Sequence, residues 1–90
     1  MPDLTDNIGM NRFEMLVEGH IAFVTYRRAP GTIALLHAEV PAELEGRGVG
    51  SRLARATLEA VRGESLKVVP RCSFIAAFMA KNPEFNDLLG

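Results

Sequence analysis

Glu45-Gly46-Arg47-Gly48-Val49-Gly50-Ser51 stands between two runs of opposite character. Before it, Thr32 to Val40 reads as a strand, apolar on both faces and therefore central in a sheet, and Pro41 ends it. After it, Val49 to Arg62 places Leu53, Ala54, Leu58 and Val61 on one face and Arg52, Arg55, Glu59 and Arg62 on the other. That is the spacing of an amphipathic helix, and Gly63 is placed to terminate it. A glycine-rich turn from strand to helix presents backbone N–H groups at the positive end of the helix dipole, a seat for a phosphate or pyrophosphate.

The pattern extends outward in both directions. From Arg12 to Val17 the chain alternates: Phe13, Met15 and Val17 face one way, Arg12, Glu14 and Glu18 the other. Gly19, with Glu18 and His20, makes a tight connection to a second strand, His20 to Arg27. Arg28-Ala29-Pro30-Gly31 is a turn into the Thr32 strand, so three strands form an antiparallel meander. Downstream, Leu66 to Val69 is a fourth strand stopped by Pro70. Strand, glycine loop, helix and strand make a parallel crossover, expected to be right-handed. Helical spacing returns in Phe74, Ile75, Phe78 and Met79, a stripe read as core, and Asn82-Pro83 halts it. Glu84 to Leu89 reads as one last helical turn. The fold class is α+β: a compact mixed sheet, with the three-strand meander first, the strand–glycine loop–helix–strand unit second, and a short C-terminal helix. Residues 1–10 are polar and turn-rich and read as a flexible tail; residues 11–90 form one domain.

Composition narrows the function classes. Ninety residues bury roughly 60–70% of the surface an unfolded chain exposes, enough to fold without staples. A net charge of −1 argues against a nucleic-acid-binding surface spread over the whole molecule. The single cysteine, Cys72, rules out an intramolecular disulfide and a Cys-rich zinc site, and fits a reducing, cytoplasmic setting. The N-terminal residues lack the layout of a signal peptide, and no apolar run approaches the ~20 residues of a membrane span, so no membrane partner is expected.

The loop itself excludes two ligand classes. A Walker A loop ends in Gly-Lys-Ser/Thr, whereas this one ends in Gly48-Val49-Gly50-Ser51, without the lysine that nucleotide hydrolysis needs. The dinucleotide fingerprint requires a third glycine where Leu53 stands, and a parallel lead-in rather than a meander. What remains is Gln/Arg-x-x-Gly-x-Gly/Ala, here Glu45-Gly46-Arg47-Gly48-Val49-Gly50. It resembles the pyrophosphate loop of the GNAT acetyltransferase superfamily, with Glu45 as the departure. Three further motifs follow the family's order: Leu36-His37-Ala38-Glu39-Val40-Pro41 before the loop, and Pro70-Arg71-Cys72-Ser73-Phe74-Ile75 and Asn82-Pro83-Glu84-Phe85 after it. Together they resemble the small single-domain branch known as the YjdJ-type N-acetyltransferases. The resemblance implies acetyl-CoA as co-substrate, with no metal. It implies a pyrophosphate held by the amides of Gly46, Arg47, Gly48, Val49, Gly50 and Ser51, and a pantetheine arm along Glu39 and Val40. The Ala38 position lacks the hydroxyl usual there.

Two side chains are candidates for chemistry. Cys72 follows Pro70-Arg71 at the start of the second helix, where an arginine and the helix dipole favour a thiolate nucleophile. The plainer alternative is a buried small hydrophobe. The resemblance implies an active cysteine at this place, accepting the acetyl group. His37 is expected to share a strand face with Leu35 and Glu39, which would let Glu39 orient it as a general base; the alternative is a half-buried strand histidine. His20 reads as a turn or surface residue, and a zinc site from His20, His37 and Cys72 has no support in spacing. Arg47 and Arg52 are candidates for the CoA phosphates, while Arg55 and Arg62 read as a solvated face, with Arg55 paired to Glu59. The expected function is transfer of an acetyl group from acetyl-CoA to an unidentified amine, a small molecule or a protein, directly or through Cys72. The alternative is a non-catalytic CoA-binding or protein-interaction module on the same scaffold.

Overall fold

The computed structural model describes residues 4–90. Five strands form one sheet in the order of the chain: β1 (Leu4–Asn7), β2 (Arg12–Val17), β3 (His20–Ala29), β4 (Thr32–Glu39) and β5 (Lys67–Pro70). The first four are antiparallel neighbours, and β5 lies parallel to β4. Between β4 and β5 run a 3₁₀ turn (Ala42–Leu44) and helix α1 (Val49–Gly63). Helix α2 (Ser73–Lys81) and a 3₁₀ segment (Pro83–Leu88) close the chain.

Strand β1 corrects the expected tail. Leu4 pairs with Met15 and Asn7 with Arg12, so residues 4–7 are the sheet's first edge. Polar side chains hold it there: the Tyr26 hydroxyl donates to Asp6 at 2.5 Å, and Arg28 donates to the same carboxylate at 2.8 Å. The expected flexibility of residues 1–3 lies outside the described residues.

Helices α1 and α2 and the last 3₁₀ segment cover one face of the sheet. Phe13 and Met15 on β2, Ala22, Val24 and Tyr26 on β3, Ile33 and Leu35 on β4 and Val68 on β5 point into it. Leu53, Leu58 and Val61 of α1, Ile75 and Met79 of α2, and Phe85 and Leu88 of the last segment complete the core. Each fully buried Leu or Val contributes about 1.5–3 kcal/mol by leaving water. Among the described residues the opposite sheet face has no helix on it, and Leu16, Ile21, Leu36 and Val69 are exposed there.

Helix α1 ends at Gly63, as the sequence leads one to expect. The left-handed conformation that closes it falls on Ser65 (φ 60°) and not on the glycine. The Leu66 N–H returns to the Val61 carbonyl, which also accepts from Glu64, and the Ser65 N–H bonds that of Arg62, so the last-turn acceptors are satisfied.

Candidate functional site

The glycine loop is built to leave donors free. Leu44, 1% exposed, anchors the 3₁₀ turn in the core, and the backbone then leaves it extended at Glu45. Gly46 (φ 82°) and Gly48 (φ 72°) are left-handed, a conformation that costs other residues about 1–2 kcal/mol. Gly48 is the N-cap of α1 and has no side chain to cap it. The first bonded amide is that of Arg52, to the Gly48 carbonyl at 3.2 Å. The N–H groups of Val49, Gly50 and Ser51 have no acceptor among the described residues. The N–H groups of Gly50 and Ser51 thus stand at the accessible helix N-terminus with the dipole behind them, while Val49, 1% exposed, anchors the first turn in the core. A Cβ on Gly50 would lie 2.9 Å from the Phe74 ring, so the glycine lets that ring rest on the first turn. The sequence stripe placed Phe74 in the core; it is 42% exposed, and of that stripe only Ile75 and Met79 are buried.

Beside the loop, β4 and β5 part company. Their pairing runs from Thr32↔Lys67 to Leu35↔Pro70 and stops. The Leu35 carbonyl then accepts from both Arg71 (3.0 Å) and Cys72 (2.9 Å), which turns the chain into α2. From His37 to Glu39, β4 pairs with β3 alone, so its other edge has no strand neighbour among the described residues. The same point carries a β-bulge. Tyr26 is opposite Leu35 and Thr25 opposite His37, which leaves Leu36 as an extra residue. The bulge corrects one expectation: His37 and Glu39 share a face, but Leu35 is buried on the helix side while His37 lies on the open side with Thr25 and Phe23.

His37 Nε2 lies 3.1 Å from Glu39 Oε1, and both side chains are 60% exposed. A carboxylate only accepts, so Nε2 is the donor of this contact, which in the neutral ring leaves the lone pair on Nδ1. Cys72 is the N-cap of α2 and is 7% exposed, part of the core. Its backbone touches the parting of β4 and β5, while its thiol points into apolar surroundings. His20, the first residue of β3, lies 4.0 Å from Glu43. Among the described residues no three His, Cys, Asp or Glu side chains gather where a metal could bind.

The arginines sort differently from their sequence reading. Arg47 pairs with Glu18, at the β2–β3 hairpin tip. Arg52 has no acidic partner among the described residues. Arg55 bonds Glu84 and Asn82, both at 3.1 Å, rather than Glu59, and Arg62 bonds Asp87 at 2.5 Å. Their guanidiniums also lie over Phe78 and Phe85. These two residues tie the C-terminal segment to α1. Between α1 and α2 lies a cleft of about 330 Å³ lined by Ser51, Arg52, Arg55, Phe78, Lys81 and Asn82. Sequence reasoning missed Lys81 and Asn82, because no local spacing connects the end of one helix to the start of another. The Asn82 amide also caps the Phe78 carbonyl at 2.8 Å, so the residue does more than stop a helix.

Residues 12–88 match a family model described as GCN5-related N-acetyl-transferase. Protein NATD1 of Xenopus tropicalis is 38% identical over 52 residues, which cover 58% of this chain and 48% of that protein. Protein NATD1 of Homo sapiens is 39% identical over 51 residues, 57% of this chain and 45% of its own length. The match thus spans about half the length of these relatives. The NMR solution structure of a GCN5-like protein from Staphylococcus aureus superposes with a TM-score of 0.72 at 31% identity, covering 100% of this chain and 91% of that one.

Proposed function

The chain belongs to the GCN5-related N-acetyltransferase family, and from that premise we propose that it binds acetyl-CoA and transfers the acetyl group to an amine. One observation carries this reading: the free first-turn amides of α1 adjoin a strand edge, on β4, that lacks a partner among the described residues. A pyrophosphate needs the first; a pantetheine arm, with its peptide-like amides, needs the second. The amides of Gly46 to Ser51 would hold the pyrophosphate. The backbone around Glu39 and Val40 would pair with the arm, since the Glu39 side chain is engaged with His37. Arg52, with Ser51 and Lys81 in the α1–α2 cleft, would meet the remaining CoA phosphate. Arg47 is a weaker candidate, because Glu18 already neutralises it. The order of the four motifs supports the small YjdJ-type branch, and the lone cysteine fits a cytoplasmic site of action.

In this reading His37 takes the amine's proton at Nδ1, with Glu39 fixing the ring. Direct transfer is favoured by the burial of the Cys72 thiol. The second route, through acetyl-Cys72, is supported by the position of Cys72 where β4 and β5 diverge.

The test is to mix the protein with acetyl-CoA and record melting temperature, intact mass and CoA release on adding an amine. Millimolar acetyl-CoA should raise the melting temperature by mass action. No shift would end the reading. A shift without CoA release from any amine would point to a non-catalytic CoA-binding module. A mass increase of one acetyl group that vanishes in Cys72→Ala would establish the covalent route.

A further inference from the structure

The bare face of the sheet holds a second cavity of about 330 Å³, lined by Arg27, Ala29, Thr32, Ala34, Leu36, Val69 and Arg71. Its floor is a ladder row: Arg27 pairs with Ala34, and Ala34 with Val69. Leu36 and Arg71 are the first residues beyond the last β4–β5 pair, Leu35↔Pro70. One end of the cavity therefore opens on the place where the two strands part. His37, next to Leu36 across the bulge, faces the same side.

The cations single this cavity out. Arg12, Arg28, Arg47, Arg55 and Arg62 each have a carboxylate partner, and Lys67 donates to the Asp87 carbonyl. Among the described residues Arg27, Arg52, Arg71 and Lys81 have neither an acidic partner nor a carbonyl acceptor. All four line one or other of these cavities: Arg52 and Lys81 the cleft between the helices, Arg27 and Arg71 the hollow on the opposite side of the sheet. Elsewhere on this face basic side chains meet acids, Arg12 with Glu14 and His37 with Glu39; here two unpaired guanidiniums surround Ala29, Ala34, Leu36 and Val69.

We infer that this cavity seats the acceptor, and that the acceptor is a small amine that also bears a carboxylate, held between Arg27 and Arg71. The inference rests on the acetyl-transfer reading above. Two guanidiniums match the planar carboxylate, and the apolar floor matches the methylenes that separate it from the amine. The volume suits a small molecule. With the carboxylate so held, the amine reaches the strand parting beside His37. The neutral amine nitrogen forms the C–N bond to the acetyl carbon, and the thioester C–S bond breaks. One amine proton passes to His37, and CoA leaves as a thiolate that takes up a proton.

The experiment is an amide NMR titration with glycine, β-alanine and 4-aminobutyrate as probes, and n-butylamine as the matched amine without a carboxylate. At least one aminocarboxylate should move the amides of Ala34, Leu36 and Val69 saturably, and n-butylamine should not. Arg27→Gln and Arg71→Gln should each weaken that titration by about tenfold, and Arg27→Lys should restore part of it. Equal responses to 4-aminobutyrate and n-butylamine, or no response from these amides to any probe, would overturn the inference. Acetyl-CoA shifts on the Gly46–Ser51 amides are read separately. Their absence would sink the cofactor reading, whereas their presence with silent Ala34, Leu36 and Val69 amides would sink the acceptor inference alone. The same loop shifts also confirm that each variant is folded.

Discussion

Thr57 is the one fully buried polar side chain whose hydroxyl has no partner among the described residues. It sits in α1 against the sheet, where an unmet hydroxyl costs about 1–3 kcal/mol. Thr57→Val keeps the shape and removes the penalty, so urea denaturation should show a gain of about 1 kcal/mol. His37 is the opposite case. Its side chain is 60% exposed, and its pairing with Glu39 is a surface interaction worth little to the fold. His37→Ala should leave stability within about 0.5 kcal/mol while cutting acetyl transfer about a hundredfold or more; equal loss of both would make the residue structural. At this scale the sequence showed the partners but not the surroundings. His37 and Glu39 two apart on a strand were legible. The bulge that separates His37 from Leu35 was not, because its only trace is the consecutive pair Leu35-Leu36, which also suits a regular buried strand. Arg55 had a local acid in Glu59 and took a distant one in Glu84, a choice made by the packing of the last segment.

Among the elements, those with strong internal periodicity were readable in advance. The Phe13/Met15 alternation and the α1 stripe lie where the sheet and helix place them, and the His20 to Arg27 run lies within β3. Strand β1 was not readable, since Asp6 and Asn7 are poor strand formers; its place comes from Leu4 against Met15 and from Asp6 meeting Tyr26 and Arg28. The end of α1 shows a similar gap. Gly63 is the residue that propensity would choose for the left-handed cap, yet Ser65 holds φ 60°. Ser65→Gly removes a left-handed penalty of about 1–2 kcal/mol against a backbone-entropy cost of about 0.5–1. The melting temperature should rise; a fall would mean the serine side chain stabilises the turn. The C-terminal segment hangs on Arg55 and Arg62. Arg55→Ala should lower hydrogen-exchange protection from Phe85 to Leu89 before it affects the meander.

For the molecule as a whole, stability should fall away at both ends of the pH scale, for different reasons. Hydrogen bonds from Arg12, then from Asn7, hold the Glu14 carboxyl below the ordinary 4.5. That contribution is present above pH 4.5 and is lost as pH falls through the depressed value. The Tyr26 hydroxyl is pushed above 10.0, first by burial and then by its hydrogen bond to Asp6. Its contribution is present below pH 10.0 and is lost as pH rises through the raised value. Denaturation series of wild type against Glu14→Gln should therefore converge in acid. Wild type should fall below Tyr26→Phe in stability only in strong alkali, relative to their difference at neutrality. The parting of β4 and β5 has a consequence in time as well as in space. β1 to β4 join through short local turns, whereas β5 must wait for α1 to form and cross over. Non-local parallel pairings of this kind form late. A ligand lodged between β4 and β5 would bridge the early half of the fold to the late half, gripping contacts that the folding transition state has yet to make. Saturating acetyl-CoA should then slow the unfolding limb of a chevron plot and leave the folding limb nearly unchanged.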